Sequence, residues 1–263
     1  MYLQPHHMRV IERLTEHFKD DTRYRALIVG GSLVKGWGEV NSDVDIMLIA
    51  SDEEYAQRAS SSNFWYYNTE MCDYPGGYVD GKVIDLQFLH DVAKHGSEPA
   101  RAAFTNVLIA YSHIPQLDEL IKQIPIYQEA EREEKIRSFY AQIQMQNWLV
   151  HEGEQKKSPY LLVHAASEMV FYSARLLLAY NRILYPYHKW LMRAVESAPD
   201  KPANFLERAE TLLKQSTSAN AEALWECITG FRDWNSSADH WPMRIMLDSE
   251  WNWRAGRAPL QDW

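Results

Sequence analysis

The fold of this chain is decided within residues 30–45, which read GGSLVKGWGEVNSDVD. Before them, the apolar run at residues 24–29 predicts a buried strand, and the two glycines that end it permit a tight turn. After the turn, residues 43–49 read DVDIMLI and predict a second strand. Because successive side chains of a strand alternate between its faces, the carboxylates of Asp43 and Asp45 should leave the same side of the sheet.

This pattern suits a phosphate group and a divalent cation. Ser32 offers a hydroxyl, and the exposed amides at the start of a helix after a glycine turn can cradle a phosphate. Two carboxylates held as close as Asp43 and Asp45 repel each other, and their burial is costly unless a cation lies between them. Mg²⁺ is typically held by one or two carboxylates together with substrate phosphate oxygens. The residues therefore predict a site for phosphate and magnesium.

A third carboxylate is expected from residues 78–88, which read YVDGKVIDLQF. Asp80-Gly81 is a strong two-residue turn signal, so this segment is predicted to form a β-hairpin. Asp85 has apolar neighbours, as expected for an acid that projects from a core strand. Three acids could hold two metal ions roughly 3.5–4 Å apart. Alternatively, Asp85 could accept a proton from an acceptor hydroxyl as general base.

The remaining sequence predicts a mixed first half and a helical second half. Apolar spacing predicts an amphipathic helix over residues 6–19, and residues 106–110 predict a further strand. Helices broken by prolines are predicted over residues 128–151, 159–183, 187–197, 202–215 and 219–234. We therefore expect an α+β protein with a boundary near residues 115–127. Residues 1–115 would form a mixed β-sheet domain flanked by helices, and residues 116–263 an all-helical bundle that binds the substrate.

The composition narrows the classes of function. Of 263 residues, 46% are hydrophobic and 24% are charged, which is typical of a globular protein. The 36 acidic side chains outnumber the 27 basic ones, which argues against a nucleic-acid partner because such binding relies on clustered Lys and Arg. No apolar run reaches the roughly 18 residues of a membrane span, so we expect a cytoplasmic protein without a membrane partner. Cys72 and Cys227 are expected to be free thiols.

Together these motifs resemble a known signature. Gly-Ser, a ten-residue gap, Asp-x-Asp and a later hydrophobic-Asp-hydrophobic strand resemble, over residues 27–88, the nucleotidyltransferases of the DNA polymerase beta superfamily. The helical second half makes the chain more similar in architecture to the aminoglycoside and lincosamide nucleotidyltransferases. The resemblance implies transfer of a nucleoside monophosphate, from ATP or another NTP, to a hydroxyl of a small molecule such as an aminoglycoside-like antibiotic. It also implies two Mg²⁺ ions and release of pyrophosphate.

The resemblance assigns roles to individual residues. Asp43, Asp45 and Asp85 would ligate the metal and support catalysis. The candidates for nucleotide binding are Gly30, Gly31, Ser32, Lys35 and Ser42. Several antibiotic-modifying members use Glu as the base, so Glu70 is an alternative to Asp85.

Lys189 follows a proline break in the helical half. It could place a cation against the leaving pyrophosphate. The alternative is an ordinary proline-capped helix start beside a core tryptophan.

The same residues are compatible with two other functions. A protein AMPylating enzyme would modify a Tyr or Ser of a partner protein with the same chemistry. A non-catalytic regulatory module would bind the nucleotide only, but it would have no physical need for three clustered carboxylates. The sequence leaves the oligomeric state open between a monomer and a homodimer.

Overall fold

A computed structural model describes residues 3–234, 240–254 and 256. The chain divides into two compact units, Met1–Ile126 and Tyr127–Trp263. The division therefore falls at the C-terminal end of the expected boundary region 115–127, and not at residue 115.

The first unit is a mixed β-sheet flanked by helices. Its strands are β1 (Tyr24–Val29), β2 (Val44–Ala50), β3 (Trp65–Asn68), β4 (Val79–Ile84) and β5 (Leu108–Ser112). Its helices are α1 (Pro5–Phe18), α2 (Gly31–Lys35), α3 (Asp52–Ser61), α4 (Leu86–His95), α5 (Glu98–Ala102) and α6 (Leu117–Gln123). The described strands form one sheet in the order β3-β4-β2-β1-β5. Only the central β2–β4 pair is parallel among these pairings.

Strand alternation divides the core of this unit into two layers. On one face of the sheet, Leu48 of β2 packs in a layer with Leu14 and Phe18 of α1. On the other face, Ile49 packs in a layer with Leu89 of α4 and with residues of α6. Asp45 shares this second face by its parity with Ile49. Along β2, this face of the sheet therefore changes from apolar side chains at Ile49 and Met47 to a carboxylate at Asp45.

The α+β class is confirmed, and so are several of the predicted elements. The helix expected over residues 6–19 is α1, and the strands expected over 24–29, 43–49 and 106–110 are β1, β2 and β5. Their bounds differ from the expected ones by no more than two residues. These elements carry strong local patterns of apolar spacing, which is why the sequence alone indicates them.

The hairpin predicted over residues 78–88 is wrong. Asp80 and Gly81 lie inside β4, between the neighbouring strands β2 and β3, and the chain then enters α4. Gly81 is explained by packing, because a Cβ atom there would lie 2.6 Å from Cγ1 of Ile46. The Asp-Gly pair therefore marks a close approach of strands and not a turn.

The described residues of the second unit form helices and connecting loops, with no strand among them. Its helices are α7 (Arg132–Gln155), α8 (Pro159–Tyr180), α9 (Leu191–Glu196), α10 (Phe205–Lys214), α11 (Ser218–Thr229) and α12 (Trp241–Ile245). Ser158 begins α8, because its side chain accepts a hydrogen bond from the Leu161 amide and Pro159 follows at the first helical position. The all-helical prediction for this half is confirmed. Cys72 and Cys227 are both free thiols, as expected.

Helix α8 is the described helix that bears on the expectation of no membrane span. It has 22 residues with a mean hydropathy of 1.3 in its most apolar window, so its length and composition alone would allow it to cross a bilayer. However, 50% of that window is buried inside the protein, and Ala165, Met169 and Leu177 are fully inaccessible to solvent. This burial is typical of a core helix in a soluble protein.

Candidate metal and phosphate site

The backbone aligns the glycine turn and two acids in one row across the sheet. The Gly30 amide, just after β1, donates to the Asp45 carbonyl at 2.9 Å. Asp45 of β2 is the register partner of Asp80 in β4, and Asp80 is the register partner of Tyr67 in β3. Neighbouring strands lie about 4.8 Å apart. The row therefore runs from the turn, through the acids, to the aromatic edge strand β3.

Three carboxylates converge on this row. Asp43, Asp45 and Asp80 each offer one oxygen, and these oxygens all lie within 4.8 Å of one another. All three residues are partly exposed. Alternation along β2 thus places Asp43 and Asp45 on one face, and register adds Asp80 from the parallel neighbour. An all-oxygen donor set of this kind suits a hard cation such as Mg²⁺.

The third acid of this group is Asp80, and the choice of Asp85 needs correction. Asp85 follows β4 at the end remote from Asp80, roughly 16 Å away at about 3.3 Å per residue. Its Oδ1 accepts a hydrogen bond from the Phe88 amide at 2.7 Å and caps α4. The sequence interpretation missed Asp80 because it assigned that residue to a turn. The alternation Val79-Asp80-Gly81-Lys82-Val83 is the signal that could have found it, because it is typical of a strand with one polar face.

Gly31 brings the turn against the metal site. Its φ is +71°, and a Cβ atom there would lie 1.7 Å from Oδ2 of Asp45. Only glycine fits this position, both because the backbone is left-handed and because the carboxylate occupies the space. Gly30 is different, since the nearest atom to a Cβ there would be 3.5 Å away, an ordinary contact. The Asp45 carboxylate therefore lies directly against the predicted phosphate turn.

Helix α2 carries the next two candidates for nucleotide binding. Ser32 is only 7% exposed, and its carbonyl accepts hydrogen bonds from the amides of Trp37 and Gly38. Lys35 is half-buried, and burial lowers the pKa of its ammonium group, while the nearby Asp45 carboxylate opposes that shift. Lys35 is therefore electrostatically coupled to the acid group. Contacts of Ser32 and Lys35 with a triphosphate stay predictions.

Ser42 stabilises the loop that leads to the acids. Its Oγ accepts a hydrogen bond from the Glu39 amide at 2.8 Å, and its carbonyl accepts one from the Tyr74 hydroxyl at 2.7 Å. His6 Nε2 lies 2.9 Å from the Val40 carbonyl. These contacts give Ser42 a structural role, and its predicted contact with nucleotide stays a prediction.

Aromatic groups accompany two of the three acids. The Trp65 indole N–H donates to Oδ1 of Asp80 at 2.6 Å. Tyr78 lies beside Asp43, and the charge of that carboxylate is the main cause that raises the pKa of the phenol, followed by burial and by their hydrogen bond. The ring of Tyr67 lies between them, with centroids 5.2 Å from Trp65 and 5.6 Å from Tyr78. Three aromatic side chains therefore lie beside the acid group. The sequence alone did not predict their presence there.

Two further candidates lie elsewhere. Glu70 is exposed in the turn after β3 and is not part of the acid group formed by Asp43, Asp45 and Asp80. Lys189 belongs to the second unit, where its Nζ lies 5.3 Å from the ring centroid of Trp190. Its contact with pyrophosphate stays a prediction.

Comparison with known proteins gives a distant structural likeness. No protein-family model matches the chain, and no curated protein matches its sequence. Among solved structures, the chain is similar to a nucleotidyltransferase-like protein from Exiguobacterium sibiricum 255-15, with 11% sequence identity and a TM-score of 0.42. The match covers 94% of this chain and 78% of the other. A likeness of this size does not assign a function.

Proposed function

We propose that this protein is a metal-dependent nucleotidyltransferase that moves a nucleoside monophosphate, from ATP or another NTP, to a hydroxyl group of a small molecule and releases pyrophosphate. The observation that carries the proposal is the convergence of Asp43, Asp45 and Asp80 within 4.8 Å, with Asp45 against the Gly31 turn. Glycine turns and paired acids are each common, but here the turn and all three acids lie close together on neighbouring strands of one sheet.

The acid group fits two divalent cations. Asp43, Asp45 and Asp80 would hold them, since three carboxylates within 4.8 Å of one another are otherwise destabilised by their like charges. When bound, two Mg²⁺ ions would neutralise the charge that develops between the attacking and leaving oxygens. The protein's own contribution is to hold the three carboxylates in a fixed geometry before the substrate arrives.

The turn after β1 suits the triphosphate. Gly31 has a left-handed backbone and lies against the Asp45 carboxylate, so a phosphate held by the backbone amides of this turn would be next to the proposed metal ligands. Lys35 adds a cation whose charge is disfavoured by burial. An anionic triphosphate nearby would stabilise the protonated form of this lysine. Both features support a triphosphate at the β1 end of the row.

The order of these groups along the row indicates the side from which the acceptor hydroxyl would approach the α-phosphate. In phosphoryl transfer the attacking and leaving oxygens lie roughly in line. With the β- and γ-phosphates at the glycine turn, the acceptor hydroxyl would attack from the opposite side, next to Asp80 and β3. The new bond joins the acceptor oxygen to the α-phosphorus, and the bond to the β-phosphate oxygen breaks. Asp80 is the carboxylate nearest this approach and is suited to accept the hydroxyl proton.

The acceptor class is proposed from charge. The net charge is −9, and the acid group is partly exposed, which favours a cationic acceptor through electrostatic attraction. Aminoglycoside-like polycations are therefore the first compounds to test, with antibiotic modification in the cytoplasm as the corresponding biological role.

Pyrophosphate release tests the proposal. The purified protein is incubated with Mg²⁺, each of the four NTPs and a panel of hydroxylated acceptors that includes aminoglycosides. We expect release that depends on both metal and acceptor and that is lost in Asp45→Asn. Labelling of a lysate with a tagged ATP distinguishes protein AMPylation, which would give covalently labelled bands. Absence of pyrophosphate with every acceptor, together with absence of metal binding, would rule the enzyme out.

A further inference from the structure

The side chain of Trp65 has an unusual environment for a tryptophan of a sheet. It is 63% exposed, although large aromatic side chains are generally highly buried on average. Its ring contacts Tyr67, at a centroid distance of 5.2 Å. Apolar burial therefore accounts for little of its position, and the polar edge of the indole needs a separate explanation.

The indole N–H is directed at a carboxylate of the acid group. Trp65 is the register partner of Lys82, which is two residues beyond Asp80 on the same side of β4. A diagonal neighbour at this separation is within reach of a long aromatic side chain. The Nε1 atom of Trp65 lies 2.6 Å from Oδ1 of Asp80, and hydrogen bonds to a charged acceptor are stronger than those between neutral groups.

This hydrogen bond restricts the rotation of the Asp80 carboxylate. The indole N–H is a donor only, so it can orient the carboxylate but cannot compete with it for a cation. A carboxylate that accepts one hydrogen bond at Oδ1 keeps lone pairs on both oxygens for a metal. Donors that orient metal ligands in this way commonly change metal affinity by about 10- to 100-fold when they are removed.

We propose that Trp65 is a positioning residue of the metal site, which holds the Asp80 carboxylate in the orientation that binds a divalent cation. The inference rests on the proposed function, because it requires that Asp43, Asp45 and Asp80 bind metal. Trp65 would act through its hydrogen bond to Asp80 and not as a ligand of the metal.

Binding of Mn²⁺, measured by electron paramagnetic resonance of the free ion, tests the proposal. Trp65→Phe keeps an aromatic ring but removes the N–H donor. We expect its Mn²⁺ affinity to fall about 10-fold or more relative to the natural protein. Trp148→Phe, at an exposed tryptophan of α7, is the matched control and should keep the natural affinity. Circular dichroism and thermal unfolding establish that each variant is folded.

A double-mutant cycle with Asp80→Asn separates positioning from a general structural effect. If Trp65 acts through Asp80, Trp65→Phe should cause almost no further loss of Mn²⁺ affinity in the Asp80→Asn background. Equal losses in the two backgrounds would overturn the proposal. So would an unchanged affinity in the Trp65→Phe protein.

Terbium luminescence gives a spectroscopic signature. Tb³⁺ bound at the acid group should emit when tryptophan is excited, because Trp65 is adjacent to a ligand. We expect this sensitised emission to decrease strongly in Trp65→Phe and to be retained in Trp148→Phe. If the natural protein binds neither Mn²⁺ nor Tb³⁺, the proposed function fails as well. If it binds both and Trp65→Phe does not differ from it, only the role of Trp65 is overturned.

Discussion

Asp45 and Asp80 are direct register partners in the parallel pair formed by β2 and β4. Their backbones are held together by the ladder of the sheet, so the two like charges remain on directly opposed positions of neighbouring strands. Asp43 adds a third carboxylate from the residue that precedes β2. The acid group is therefore built into the central strand pair, and the following predictions depend on that relationship.

Asp80 lies within β4 and Asp85 directly follows that strand, so substituting each acid in turn shows which of them is the third metal ligand. Asp80→Asn should lower Mn²⁺ affinity and the rate of pyrophosphate release by at least about 100-fold, since it removes one metal ligand. Asp85→Asn should retain both, because Asn is as good a helix N-cap as Asp. Titration with Mn²⁺ and a pyrophosphate assay measure the two effects. If Asp85→Asn lost Mn²⁺ affinity and pyrophosphate release while Asp80→Asn kept both, Asp85 would be the third acid instead.

Gly31→Ala should disrupt the metal site. The new Cβ atom would lie 1.7 Å from Oδ2 of Asp45, so the carboxylate must move, and we expect Mn²⁺ affinity to fall by about 100-fold. Gly76→Ala is the matched control, because Gly76 also has a positive φ, of +74°, but no atom lies within 4 Å of a Cβ there. The control should lose about 1 kcal/mol of stability from left-handed strain alone. Similar metal affinities for the two variants would contradict this explanation.

Divalent cations should stabilise the folded protein through the acid group. At about 100 times the dissociation constant, Mg²⁺ or Mn²⁺ would add about 2.7 kcal/mol to the free energy of unfolding. Without metal, Asp45→Asn should be as stable as the natural protein or more stable by about 1 kcal/mol, since one repelling charge is removed. It should also lose the stabilisation by metal. Thermal unfolding of both proteins, with metal and with chelator, measures these differences. If metal stabilised Asp45→Asn as strongly as the natural protein, the cation would bind at a site other than the acid group.

Acid should destabilise the protein through His7 of α1. His7 is fully buried, and burial is the main cause that lowers its pKa below the ordinary 6.5, followed by the charge of His6. The unfolded chain thus binds more protons than the folded one, so stability is lost as the pH falls from about 6.5 through the lowered pKa. His7→Gln should reduce this loss. Urea unfolding between pH 5 and 7.5 measures it.

The exposed His17 of the same helix provides the control for this prediction. His17→Gln should leave the acid dependence of stability as it is in the natural protein, since that side chain is exposed. An equal change of the pH dependence in the two variants would show that the effect does not come from burial of His7.

The sequence by itself determined the local part of the site. The apolar run of β1, the two glycines after it and the alternation of Asp43 and Asp45 are features of neighbouring residues, and each has a direct physical meaning for the backbone. They were sufficient to predict a turn, two strands and a pair of acids on one face. The helical second half followed from spacing and prolines in the same way.

Only the tertiary structure decided which third acid joins that pair. Asp80 and Asp85 both lie near apolar residues, and a local pattern does not show whether residues 80 and 81 form a turn or a strand. The parallel pairing of β2 with β4 joins residues far apart in the chain, and its register places Asp80, not Asp85, opposite Asp45. The edge strand β3 then brings Trp65 to Asp80. Strand register is a non-local property, because it depends on how the whole sheet packs its two faces.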